Sequence, residues 1–294
     1  MIGMSTTGHT ASRLAAIAFV SLVGTAGPGV AQDKAERVLS IGGAVTEIIY
    51  ALGEEDRLIG RDSTSSYPEA AAALPDVGYM RALAPEGVLS IEPDLILARE
   101  GSGPPEAIDV IRSAGIPFVD VPEDFTAGGI GEAVDVVADA LNVEDKGKAL
   151  HAEISAQMDE LANAVSGIEE KKRVLFILSM QDGRIMASGT GTAANGIIEL
   201  AGAENAIVDF EGYKQLTDEA IITIDPDAIL MMDRDGELDT PPETVLAHPA
   251  VATTQAGKDK ALIRMNGLYL LGFGPRTASA ALDLAKALYG DDIH

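Results

Sequence analysis

Glu86-Gly87-Val88-Leu89-Ser90-Ile91-Glu92-Pro93-Asp94-Leu95-Ile96-Leu97 lines up without a gap on Glu219-Ala220-Ile221-Ile222-Thr223-Ile224-Asp225-Pro226-Asp227-Ala228-Ile229-Leu230. Each stretch opens as a short helix with an acidic first turn, breaks at a proline corner and ends in an apolar run. Proline removes a backbone donor and disfavours helix in the residue before it, so the corner ends the helix. The apolar run that follows reads as a buried strand. The same unit in both halves of a 294-residue chain means two lobes of one fold, related by a pseudo-two-fold axis.

Outward from the first copy, Arg37–Ile41 reads as a strand, Thr46–Leu52 as a helix closed by Gly53, and Leu58–Gly60 as a second strand. After the repeat come a helix over Pro105–Ala114 and a strand over Ile116–Val121. Strands alternating with helices imply a parallel sheet covered on both faces. From Glu144 to Ser166 the pattern changes: Leu150, Ile154, Met158, Leu161 and Val165 recur at helical spacing, as one long helix requires. The scheme then restarts with a strand at Arg173–Ile177 and a helix at Asn195–Gly202. The expected fold is α/β: two doubly wound parallel-sheet lobes joined by a single long α-helix, with a ligand cleft between the lobes, beyond the carboxyl ends of the strands. The expected divisions are a signal peptide over 1–31, a first lobe over 32–143, a connecting helix over 144–166 and a second lobe over 167–294.

The N-terminal expectation rests on Arg13 ahead of an apolar run from Leu14 to Val23, followed by small residues ending Gly29-Val30-Ala31. That run is too short to span a membrane, so the mature protein is expected outside the cytoplasm and not membrane-spanning. The formal charge is −25. A surface this acidic repels phosphate backbones, which argues against nucleic acid and anionic membrane as partners. Cysteine is absent, which excludes disulfides, thiolate nucleophiles, iron–sulfur clusters and a lipid-modified N-terminal Cys. Tryptophan is absent and aromatics make up 4%, so a large flat ligand is not expected to find an aromatic cage.

Five stretches carry a resemblance: Arg37–Gly43, Ser65-Ser66-Tyr67-Pro68, Val77-Gly78-Tyr79-Met80-Arg81, Glu86–Leu97 and Gly272-Phe273-Gly274-Pro275-Arg276. Together they resemble the periplasmic haem-binding proteins of bacterial haem ABC importers, a branch of the class that also carries cobalamin and iron–siderophores. The resemblance implies a periplasmic, monomeric, non-enzymatic receptor that hands haem to an ABC permease dimer and its ATPase.

It also implies roles for particular residues. Tyr67 becomes the axial ligand of the haem iron. The proline after it holds its backbone extended, and a phenolate oxygen suits ferric iron, as in catalase. A loop tyrosine half-packed against its own lobe is the plainer reading of the residue taken alone. Arg234, at the end of the Leu230-Met231-Met232 strand, is the candidate cation beside Tyr67. Arg61, Arg81 and Arg184 are candidate partners for the haem propionates. Met180, in the loop expected after the Val174–Leu178 strand, packs on the porphyrin or simply fills core. Tyr269 lines the cleft. None of His9, His151, His248 and His294 falls in that loop, so five-coordinate haem or a weak sixth contact is expected. Glu86 and Glu219, equivalent in the repeat, become the pair that docks on the permease; equally, each suits the first turn of a helix.

Two rival functions stand beside this one. A ferric-siderophore or cobalamin carrier shares the fold. A nucleotide-dependent enzyme has only Gly189-x-Gly191 and Gly196 in its favour, which is the wrong spacing for a dinucleotide site.

Overall fold

The computed structural model describes residues 34–233, 240–290 and 293. The leader expected over 1–31 and the candidate cation Arg234 lie outside them. The first lobe runs β1 (Val38–Ile41), α1 (Gly43–Ala51), β2 (Leu58–Arg61), α2 (Pro85–Ser90), β3 (Leu95–Arg99), α3 (Pro105–Ser113), β4 (Phe118–Val121) and α4 (Ala127–Leu141). Its sheet has the order β2-β1-β3-β4, all parallel. Side chains of β1 and β3 alternate between two covered faces, so both strands are buried and, apart from Ser40 and the terminal Arg99, apolar.

The helix α5 (Glu144–Val165) follows, 22 residues long. Its stripe of Ile154, Met158 and Leu161 is buried, with Leu150 and Val165 half-covered. Burying each of those three side chains contributes about 1.5–3 kcal/mol. Glu54, itself buried, receives Lys146 of this helix at 2.7 Å, Lys34 at 3.0 Å and Arg57 at 3.0 Å. Burial opposes its ionisation, but the hydrogen bonds from Lys146, Lys34 and Arg57 outweigh that and hold it down at about 2.

The second lobe comprises β5 (Arg173–Gln181), β6 (Arg184–Ser188), α6 (Ala193–Leu200), β7 (Glu204–Asn205), β8 (Tyr213–Gln215), α7 (Asp218–Ile224), β9 (Ala228–Asp233), α8 (Pro242–Leu246), α9 (Gln255–Asp259), β10 (Leu262–Asn266), α10 (Gly267–Leu271) and α11 (Thr277–Tyr289). Here the parallel expectation needs correction. The order is β10-β9-β5-β6-β8, and β6 runs antiparallel to both β5 and β8. The loop expected after Leu178 is instead a hairpin. Asp182 and Gly183 take φ of 51° and 75°, the left-handed pair that a two-residue turn requires between twisted strands.

The repeat is reproduced in atomic detail. Asp94 accepts from Arg37 N at 3.0 Å and Asp227 from Arg173 N at 2.8 Å. The Arg37 side chain donates to Glu92 O, and that of Arg173 to Ile224 O. Glu92 and Asp225, one residue before each proline, both turn left-handed, with φ 51° and 43°. Each lobe has its own apolar cluster on one sheet face, but a third cluster runs through α1, α4, α5, α6 and α11 and belongs to both lobes. The described residues from 34 onward accordingly pack as one unit.

Candidate functional site

The Tyr67 loop is built on Asp62, a carboxylate with no exposed surface. It accepts from Gly42 N at 2.9 Å, Thr64 N at 3.0 Å, Ser65 Oγ at 2.9 Å and Met80 N at 3.3 Å. Ser65 also pairs with Thr46 at 2.6 Å, and Thr46 with Ser40 at 2.7 Å. A buried carboxylate is tolerated only with such a set of donors. Here the set ties the loop to the end of β1 and the start of α1. Below the loop, Arg61 donates to Ala71 O, Ala72 O, Asp62 O and the Asp76 carboxylate, at 2.9–3.3 Å. Its guanidinium thus braces residues 62–76.

Tyr67, joined to Pro68 by a cis peptide bond, leaves this frame with 46% of its surface exposed. Its partner comes from the other lobe. The Arg276 guanidinium carbon sits 3.6 Å from the Tyr67 ring centroid and 5.0 Å from that of Tyr269, well within cation–π range. Glu47 of α1 grips Arg276 through two bonds, 2.8 Å from Nε and 2.6 Å from Nη2. Burial lifts the Glu47 carboxyl above its usual range, against the pull of Arg276. Burial alone would lower Arg276, but its bonds and charge contact with Glu47 prevail and raise it. The Tyr269 hydroxyl donates to Asp283 at 2.9 Å, and burial together with that carboxylate pushes the phenol up to about 12.

Beneath this stack the lobes touch directly. Leu268 lies close to Gly43: an added Cβ would stand 2.4 Å from its Cδ1 and 2.8 Å from the backbone oxygen of Thr64, so a side chain there would force the loop to shift. Arg99 donates to Gly272 O at 3.0 Å while its Nε meets Glu123 at 2.7 Å. Burial lowers Arg99, and Glu123 opposes the fall. Phe125 and Phe273 meet edge to face at 5.3 Å. The crevice left among Ala44, Arg99, Val121, Glu123 and Phe273 holds only about 10 Å³, room for roughly one water. It has no room for a larger ligand.

A second grouping faces the cleft further along. Tyr213 of β8 is raised by burial, opposed by hydrogen bonds with Thr192 and Ser188 and by the charge of Arg81 from the first lobe. Arg81 itself is exposed. Of the remaining sequence candidates, Met180 packs into the second-lobe core, and Arg184 is mostly exposed, 3.6 Å from Asp182. Neither joins the Tyr67 stack. Glu86 and Glu219 are exposed second residues of α2 and α7. Both helices precede and run against the strands β3 and β9, which puts the two glutamates on the rim that carries Tyr67.

Two features were missed from sequence. The arginine that meets Tyr67 among the described residues is Arg276. It stands in the Gly272–Arg276 stretch, to which no role was given. The aromatic residues are few, yet several meet where the lobes join: Tyr67 and Tyr269 flank Arg276, and Phe125 packs on Phe273.

Comparison with known proteins gives three findings. The periplasmic binding protein family model matches residues 38–267. Among solved structures, the periplasmic heme-binding protein BhuT, in complex with two hemes, is 37% identical with a TM-score of 0.82, covering 88% of this chain and 99% of its own. The periplasmic heme-binding protein RhuT from Roseiflexus sp. RS-1, in apo form, is 34% identical with a TM-score of 0.83, again covering 88% and 99%. The vitamin B12-binding protein of Yersinia pestis (strain Pestoides F) is 26% identical over 231 residues, 77% of this chain and 78% of its own.

Proposed function

The chain belongs to the periplasmic binding protein family, and from that premise we propose that it captures haem in the interlobe cleft and delivers it to an ABC import permease. One observation carries the reading. Tyr67, half exposed on the rim of the first lobe, lies against a guanidinium supplied by the second. A phenol so placed offers a hard oxygen to ferric iron, and the cation on its ring face favours the negative phenolate once iron has taken the proton's place. Likeness to BhuT and RhuT supports haem as the cargo.

Within this reading Tyr67 is the iron ligand, Arg276 its electrostatic partner and Tyr269 the aromatic wall behind that arginine. Arg81 is the candidate for a propionate, with Tyr213 across the cleft. Arg184 offers a second, more exposed positive charge at the hairpin tip. Arg61 and Met180 serve the frame. The shared core and the long helix limit lobe motion to a small adjustment. Export to the periplasm through the leader at 1–31 belongs to the same proposal.

Titration of purified protein with hemin, followed by absorption spectroscopy, tests the assignment. The expected outcome is a high-spin ferric tyrosinate spectrum in the wild type. In Tyr67→Ala that spectrum disappears and affinity falls by about a hundredfold or more, on the scale of losing a metal–ligand bond. An unchanged spectrum in the variant sinks the ligand assignment. A corrin cargo is the second reading, favoured by the vitamin B12-binding relative. Cobalamin brings its own axial groups, so tight cobalamin binding that survives Tyr67→Ala would replace the haem reading.

A further inference from the structure

Arg276 is a long side chain with many rotamers, and exposed on its own it would sample many positions. In the structure it has one, because the Glu47 carboxylate takes two of its N–H groups in a planar fork. Glu47 is 5% exposed, so the fork is shielded from water and from salt. The fork uses Nε and Nη2, which leaves the two faces of the guanidinium free. Tyr67 lies 3.6 Å from it and Tyr269 5.0 Å. Glu47 bonds to the arginine, and through it reaches the rings.

We propose that Glu47 is the positioning residue of the ligand site: its buried carboxylate holds the Arg276 guanidinium over the Tyr67 ring and thereby sets the electrostatics of the oxygen that meets the cargo. This rests on Tyr67 being the iron ligand. The competing role is purely mechanical, since the same ion pair joins α1 of the first lobe to the segment after α10 of the second, 229 residues away. A strut of that kind would affect stability without reaching the spectrum.

Glu47→Ala strips a buried ion pair and endangers the fold, so the deciding variant is Glu47→Asp. It keeps the charge but shortens the reach by one methylene, about 1.5 Å, and so draws the guanidinium off the ring. In the empty protein, nitration of Tyr67 by tetranitromethane, mapped by mass spectrometry, is expected to speed up about threefold as the ring face is uncovered. In the hemin complex the ferric spectrum is expected to shift, with haem dissociation about tenfold faster, as befits one coupled pair. Arg276→Lys, which keeps charge but cannot form the fork, should reproduce both changes. Glu47→Asp added to it should then change little more. If Glu47→Asp lowers only the melting temperature while Tyr67 nitration and the ferric spectrum stay at wild type, Glu47 is a strut and the proposal falls. Failure of the haem reading itself would show differently, as a Tyr67→Phe protein that keeps the wild-type ferric spectrum.

Discussion

At the end of each sheet remote from Tyr67 the two lobes are near-copies. Asp94 accepts the backbone N–H groups of Glu36 and Arg37, and Asp227 accepts that of Arg173. Each arginine then closes on the carbonyls just before the proline corner. At the cleft end the copies part company. The first lobe has a loop pinned by the buried Asp62, ending in Tyr67. The second has a β-hairpin with an Asp182-Gly183 turn and the exposed Arg184. Duplicated geometry thus sits where the sheet is anchored, and divergence sits where a ligand and a partner would be met.

Glu86 and Glu219 are the exception, since they are duplicated and yet lie on the divergent rim. If they are docking charges for a two-fold permease, symmetry is the reason they were kept alike. The largest expected effect in this comparison follows. Glu86→Ala with Glu219→Ala should cut haem uptake in cells about tenfold or more, with haem binding by the purified protein unchanged. Each single variant should lose only part of it. Full uptake in the double variant would leave both residues as ordinary helix-start acids.

Next in size is Asp62, the buried acceptor on which the loop of the first lobe is built. Removing it leaves the N–H groups of Gly42, Thr64 and Met80 without an acceptor in a buried place. Asp62→Ala should therefore cost about 3 kcal/mol of stability in urea denaturation. Hemin affinity should fall with it, because Tyr67 would no longer be held at the rim. A cut in the second lobe, Ser188→Ala, removes a hydroxyl that pairs with Thr192 at 2.6 Å and reaches Gly189 O at 3.2 Å and should cost about 1 kcal/mol. Equal losses in the two variants would remove the contrast drawn between a pinned loop and a hairpin.

The same contrast explains what could be read from sequence. The repeat was legible because helix start, proline corner and apolar strand are all local patterns. The long helix was legible for the same reason, from Leu150, Ile154, Met158, Leu161 and Val165. The hairpin was not: Met180 reads as a loop residue, and Asp182-Gly183 marks a turn only once the flanking strands are known to pair. A parallel second sheet was then expected from symmetry with the first. Arg276 was out of reach for another reason. Its contact with Tyr67 and Glu47 exists only when two lobes close on each other, and no spacing or periodicity encodes it. Tyr67 itself was reachable only through resemblance, because a tyrosine before a proline has no chemistry of its own.

The smallest effect concerns the anchored ends. Asp94→Ala and Asp227→Ala each remove acceptors for strand-leading N–H groups near the surface, at an expected cost of about 1 kcal/mol apiece. The sites share no partner, so the double variant should lose the sum of the two. More telling is the shape of the transition. One apolar cluster threads α1 and α4 of the first lobe, the connecting helix, and α6 and α11 of the second. Neither lobe can open that cluster without exposing the other's share of it. Each substitution, although confined to one lobe, should therefore shift a single cooperative unfolding curve without splitting it. A biphasic curve in either variant would mean that the duplicated halves are stable separately, and that the shared cluster contributes little to joining them.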